Sequence, residues 1–265
     1  RQVVTAVSDG AVAATSLEKH ISAMYEKLHL KKQEVKMNKD ALEEDNSVHS
    51  VKSQSGEDEE EGFLSSAVKR QLMPVLEKLE KSITLEFCLD DSGISREVEG
   101  FANEMDGLSP KIRCTFRRKG EAEGQDEKIM YPAIRLLGED EQYLGTSFHG
   151  VPGGHEFNSF VIALYNAAGP GQSIAPETLE RIRQIREKHH IEVVVSLSCT
   201  MCPELVMAVQ RIAIESDVIT ADIYDMAHFP ELKDRYQIMS VPCMIVDEKN
   251  VHFGKKGIDE VLGLL

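Results

Sequence analysis

No apolar run in this sequence approaches the roughly 18 to 20 residues that span a bilayer, and no signal-peptide pattern opens it. Positive charge is scarce: 30 Lys and Arg stand against 45 Asp and Glu, a formal net charge of -15. A surface of that sign is repelled by phosphate, which excludes nucleic acid and anionic membrane as partners. Cysteine is sparse too, with five in 265 residues, too few for a small secreted fold held by disulfides. These absences predict a soluble, cytoplasmic protein. An apolar fraction of 42% is ordinary for a globular chain, and the length suffices for one large domain or two small ones.

The chain opens at Arg1 with R-Q-V-V-T-A-V-S-D-G-A-V-A-A, which reads as the interior of something longer. Val7, Ala11, Ala14, Leu17 and Ile21 share one helical stripe with small residues beside it. Residues 1–30 are therefore expected to form a helix that has lost a neighbour, and either docks on a second copy in a homodimer or packs on the rest of the chain. Residues 31–62 lose periodicity and end in the run G-E-D-E-E-E-G. That composition cannot offset the entropy of ordering and predicts an acidic, disordered linker.

From residue 63 a regular pattern appears twice. A helix over 64–81 precedes the strand I-T-L-E-F-C-L, a helix over 95–105, the strand K-I-R-C-T-F-R, a hairpin through A-I-R-L-L and Q-Y-L-G-T-S-F, and a helix over 155–167. The second half repeats the order: a helix over 177–188, I-E-V-V-V-S-L, a helix from Cys202, V-I-T-A-D-I-Y, a helix over 231–237, C-M-I-V-D, V-H-F-G, and a last helix from Ile258. A parallel crossover followed by an antiparallel pair is the thioredoxin-like plan. The fold class is α/β, with two tandem thioredoxin-like folds packed together over 63–172 and 173–265.

Cys199 and Cys202, in S-C-T-M-C-P, taken alone fit a disulfide, half a zinc site, a redox couple or an accident. The plan puts Cys199 at the end of a strand-to-helix loop and Cys202 in the helix's first turn, where Pro203 is tolerated because its missing N–H has no intrahelical partner. The helix N-terminus stabilises a thiolate at Cys199. Forty residues on, Val241 and Pro242 open a strand whose loop faces the dithiol in this plan, with Pro242 expected in the cis form. Zinc wants four ligands, and no second C-x-x-C or H-x-x-x-H is present. His189 and His190 are read as surface residues at a helix end, His155 as a capping or surface residue, and Cys243, Cys88 and Cys114 as small buried strand residues. In the first half, Ser92 and Ser95 stand where the couple would be, and hydroxyls cannot cycle between thiol and disulfide. Tyr131 and Pro132 match Val241 and Pro242. The first half is thus a scaffold or a wall of the site.

G-G-H-E-F-N-S-F-V-I-A-L (153–164), S-C-T-M-C-P (198–203) and Q-I-M-S-V-P (237–242) resemble the N-terminal region of the alkyl hydroperoxide reductase flavoproteins, tandem thioredoxin folds of which only the second carries a dithiol. Separately, the opening fourteen residues are similar to the C-terminal end of thioredoxin reductases, whose Arg-Gln pair, here Arg1 and Gln2, lies against the flavin. The order departs from those flavoproteins, because here the flavoprotein piece precedes the tandem folds. The resemblance implies that FAD and NAD(P)H belong to an upstream flavoprotein domain outside this chain, with no cofactor within it. It implies a relay through Cys199 and Cys202 to a peroxiredoxin or thioredoxin-like acceptor, and for Glu156 a part in proton transfer with the dithiol. The simpler reading of Glu156 is an acid in a helix's first turn that complements the dipole. A general disulfide reductase and a non-catalytic binding module are the alternatives.

Overall fold

The computed structural model describes residues 63–121 and 129–265. The helix expected within 1–30, with Arg1 and Gln2, and the linker expected over 31–62 lie outside the described residues.

Strands and helices alternate as the periodicity predicts, although the helix expected over 64–81 ends at Leu76, and the Glu80 and Lys81 N–H groups bond to the Ala168 carbonyl instead. The order is α1 (Ser66–Leu76), β1 (Ile83–Leu89), α2 (Gly93–Met105), β2 (Ile112–Arg118), β3 (Ala133–Leu137), β4 (Tyr143–His149) and α3 (Glu156–Ala168). The second half follows with α4 (Pro176–Gln184), β5 (His189–Val195), α5 (Cys202–Ile214), β6 (Ile219–Asp225), α6 (Pro230–Tyr236), β7 (Cys243–Val246), β8 (Asn250–Phe253) and α7 (Ile258–Leu262). All eight strands form one sheet in the order β2-β1-β3-β4-β6-β5-β7-β8. Each half contributes the same local arrangement, a parallel pair and then two antiparallel neighbours. The halves meet where β4 pairs in parallel with β6, Thr146 opposite Ala221 through His149 opposite Tyr224.

This shared sheet adds to the expectation of two folds packed together. Gly145 (φ +75°) makes the seam possible, since a Cβ there would lie 2.7 Å from the Ile219 carbonyl. The two central helices, α3 and α5, pack against each other over the seam. Apart from its last turn, α3 is buried nearly all round, the mark of a helix enclosed on every side rather than lying on a surface. Phe101 of α2, Phe160 of α3 and Phe148 of β4 meet edge to face at 5.7 and 5.3 Å. Each such fully buried side chain contributes about 1.5–3 kcal/mol over its exposed state.

The sheet's two faces differ. Leu85, Phe87, Ile134, Val193, Val195, Ile223 and Met244 point to the helix-covered face. On the other face α6 covers the second half through Leu232, against Val194, Tyr224, Phe229 and Cys243. Among the described residues no helix covers that face of the first half. A groove of about 960 Å³ results, lined by Arg135, Tyr143, His149, His190, Asp222 and Tyr224 among others.

The helix expected over 177–188 stops at Gln184, with Ile185 already extended. His189 and His190 consequently belong to β5, not to a helix end. The cause is pairing: His189 stands opposite Ile219, and Asp247 holds both the His189 ring (2.8 Å) and the His190 N–H (2.9 Å). Backbone satisfaction in the sheet outweighs helix propensity over R-E-K.

Candidate active site

Strand β5 is a β-branched run buried on both faces, and it delivers the chain to the loop 196–201 at the seam side of the sheet. The loop tightens where the Cys199 N–H donates to the Ser196 carbonyl at 2.9 Å. Helix α5 then starts at Cys202 with Pro203 in its first turn and no side-chain cap. The cap position is filled by sulfur: the Cys202 N–H donates to Cys199 Sγ at 3.2 Å. Cys199 and Cys202 are disulfide-bonded, with Cα atoms 5.5 Å apart. Cys199 is half-buried, whereas Cys202 is fully buried, so one sulfur is open to attack and the other is shielded.

Pro242 follows a cis Val241–Pro242 bond, as expected, and the first half has the matching cis Tyr131–Pro132. The Val241 carbonyl oxygen lies 4.0 Å from Cys199 Sγ. Two exposed methionines flank the site, Met201 between the cysteines and Met239 before the proline loop, at 49% and 84% exposure. Periodicity gave no hint of them, because they sit in loops.

Glu156 comes from the first half. Gly154 (φ +52°) presses the 153–155 turn onto the dithiol loop so closely that a Cβ there would collide with the Leu197 carbonyl. The His155 N–H donates to that same carbonyl at 2.9 Å. Helix α3 begins at Glu156, whose side chain is 1% exposed. Neither carboxyl oxygen completes a hydrogen bond. Burial pushes its pKa up to about 8, the Ser159 hydroxyl pulls it down, and the Asp225 charge, the smallest of the three, pushes it up.

The remaining cysteines stand apart. Cys243 faces the α6 side among Tyr224, Phe229 and Leu232, and burial raises its pKa to about 11. Cys114, expected to be buried, is half-buried on β2 at the edge of the core, and its partial burial raises its pKa to about 12. Cys88 is buried as expected, but its neighbours are polar: Arg117 donates to its sulfur at 3.2 Å and Glu86 lies 3.7 Å away. Periodicity also gave no sign of the polar seam on the groove face. There the Ser147 hydroxyl donates to Asp222 and meets His149 Nε2 at 2.9 Å, while the Met130 carbonyl accepts from His149 Nδ1 at 2.6 Å. Hydrogen bonds and nearby imidazoles hold Asp222 below the usual carboxylate range against the cost of its burial. Alternation along β4 and β6 would have placed these residues on one face, but not opposite one another, because the pairing of β4 with β6 is not local. Among the described residues no cluster of His, Cys, Asp and Glu is arranged to hold a metal, and no helix is long and apolar enough to cross a membrane.

Residues 189–263 match the family model described as a thioredoxin domain. The alkyl hydroperoxide reductase AhpF of Pseudomonas aeruginosa is 31% identical over 200 residues, which are 76% of this chain and 37% of that protein. The chain thus spans little more than a third of the length of the curated relatives it matches. The solved NTD_N/C domain of alkylhydroperoxide reductase AhpF from Enterococcus faecalis superposes with a TM-score of 0.73 at 34% identity, over 77% of this chain and all of that one. A protein disulfide oxidoreductase from Aeropyrum pernix has the same fold, with a TM-score of 0.64 at 20% identity, over 76% of this chain and 91% of that one.

Proposed function

Because the chain belongs to the AhpF family of alkyl hydroperoxide reductases, whose solved N-terminal domain it matches from end to end, we propose that residues 63–265 relay electrons as a dithiol–disulfide couple. The carrying observation is the half-buried Cys199 bonded to the shielded Cys202 at the start of α5. Electrons arrive from a FAD- and NAD(P)H-dependent reductase domain outside this chain. The described site offers a thiol pair, backbone carbonyls, the buried Glu156 and apolar side chains.

A thiolate of the reductase attacks the Cys199–Cys202 disulfide and forms a mixed disulfide with Cys199. A second thiolate of the reductase then releases Cys199, leaving the couple reduced. The Cys202 N–H and the free N-terminal amides of α5 stabilise Cys199 as the thiolate. Cys199 next attacks an acceptor disulfide, and Cys202 breaks that mixed disulfide to re-form the Cys199–Cys202 bond. Glu156, buried beside the dithiol loop, takes the Cys202 proton in this step. Val241 and Pro242 present backbone to the incoming chain, and Met201 and Met239 offer it apolar surface. The acceptor is a peroxiredoxin or another thioredoxin-like protein.

The test couples the chain to a thioredoxin-reductase-type flavoprotein and NAD(P)H, and compares a peroxiredoxin disulfide with a small model disulfide. Peroxiredoxin reduced far faster than the model compound supports the relay. Equal rates for every disulfide point to general disulfide reduction, and transfer that survives Cys199→Ser would show a docking module instead.

A further inference from the structure

A small, half-open pocket of about 10 Å³ lies behind the dithiol loop, lined by Phe148, Val195, Leu197 and Ile223 among others. It is the size that holds a single water. Of the residues lining it, Glu156, Asp225 and His149 carry ionisable side chains. His149 is committed elsewhere, since both ring nitrogens are engaged by Met130 and Ser147. Asp225 closes β6 and is 6% exposed. One of its oxygens accepts from the Ala227 N–H at 3.1 Å. The other faces His228 Nε2 at 3.7 Å, on a ring 30% exposed that lies over Gly150. Glu156, buried with two unpartnered oxygens, thus shares a water-sized void with a carboxylate whose outer neighbour reaches solvent. His155, beside Glu156 in the chain, has its backbone on Leu197.

We propose that Asp225 is a positioning residue for Glu156, linking it through the void to His228 and solvent, so that Glu156 can shed its proton before Cys202 needs a base. The inference rests on the relay reading of Cys199 and Cys202. When the dithiol is oxidised, Cys199 has already lost its proton to solvent and its sulfur bonds to the acceptor, expelling one acceptor thiolate. Cys202 S–H then gives its proton to the Glu156 carboxylate. Its sulfur bonds to Cys199, the bond from Cys199 to the acceptor breaks, and a second thiolate leaves. Two electrons pass to the acceptor; one proton goes directly to water and one to Glu156, from which it leaves by way of Asp225 and His228. Burial and the Asp225 charge favour the protonated form of Glu156 while Ser159 opposes it, and a route out for the proton readies Glu156 for the next oxidation. The negative charge of Asp225 also sets where Glu156 titrates, because like charges disfavour joint ionisation.

The experiment uses the reduced full chain and an aromatic disulfide whose released thiolate is coloured, with the second thiolate's release followed against pH and buffer concentration. The wild-type rate is expected to rise through the Glu156 titration and to ignore buffer concentration. In Asp225→Asn the midpoint is expected to fall by about half a pH unit or more. Its rate is expected to fall at least about threefold and to recover with added imidazole, a small proton carrier. His228→Gln, a change on a partly exposed ring, is expected to give the same buffer dependence with a smaller shift, and decides alone if Asp225→Asn fails to fold. A folded variant with the wild-type midpoint and no response to imidazole overturns the assignment. A wild-type chain that releases no second thiolate overturns the relay itself, and this inference with it.

Discussion

Two helices of thirteen residues, α2 and α5, leave equivalent strands in the two halves, and their first turns are closed by different atoms. In α2 the Ser92 hydroxyl accepts from the Ser95 N–H at 3.2 Å. The Ser95 hydroxyl donates to Asp90 at 2.6 Å and accepts from the Asp90 N–H at 3.0 Å. Hydrogen bonds from Ser92 and Ser95 hold the Asp90 carboxyl below its ordinary value against a burial cost that would raise it. In α5 the Cys199 sulfur accepts from the Cys202 N–H at 3.2 Å and is held by its disulfide bond to Cys202. One half uses its helix start for permanent structure. The other leaves the same backbone donors facing an atom that can gain and lose a covalent partner.

The largest effect that tests this contrast is Cys199→Ser. A serine there keeps a cap like that of α2, so the fold and its unfolding midpoint should change little while reduction of an aromatic disulfide stops. Residual exchange at the wild-type rate would place the chemistry elsewhere. Reduced wild-type chain treated with iodoacetamide near neutral pH should be alkylated at Cys199 first, because burial raises the pKa of Cys88, Cys114 and Cys243; peptide mapping reads the order.

Next is Glu156→Gln, which keeps the shape and removes the base. Oxidation of the dithiol should slow about tenfold and lose its alkaline rise. Stability provides a second readout. The folded carboxyl has its pKa raised to about 8, above the ordinary unfolded value. Its contribution is therefore complete below the unfolded value and is lost as pH rises toward 8. The variant should flatten that decline in chemical denaturation across the same window, and an unchanged slope would mean that Glu156 is ionised in the native state.

Ser92→Ala sharpens the other side of the comparison. It removes a side-chain cap, with an expected cost of about 1 kcal/mol in denaturant unfolding and no change in dithiol chemistry. The smallest expected effect is that of Cys114→Ser, half-buried on β2, which should leave electron transfer at the wild-type rate; its loss in a folded protein would give the first half a redox role.

Most of the element order was legible because its signals are local. The run I-E-V-V-V, Pro203 in a helix's first turn and the strand opened by Pro242 each depend on neighbours a few residues away. The end of α4 was not, because strand pairing with β6 and the Asp247 side chain, which holds the His190 N–H from 57 residues on, decide it. Cys199 and Cys202 were legible for the same local reason, spacing at a helix start. Glu156 was singled out by resemblance, and neither spacing nor periodicity could have shown that both its oxygens are buried without a partner.

The sequence by itself determined that two similar units exist, that one has a thiol pair where the other has hydroxyls, and that the pair opens a helix. Only the tertiary structure decided that the units share one sheet through β4 and β6, that Gly154 lets the first unit's turn press on the second unit's dithiol loop, and that Asp225 stands across a void from Glu156. The reason is range. Helix starts and strand runs follow from steric and hydrogen-bonding preferences within a few residues, whereas a buried carboxyl acquires its proton affinity from groups brought to it by pairing between strands far apart in the chain.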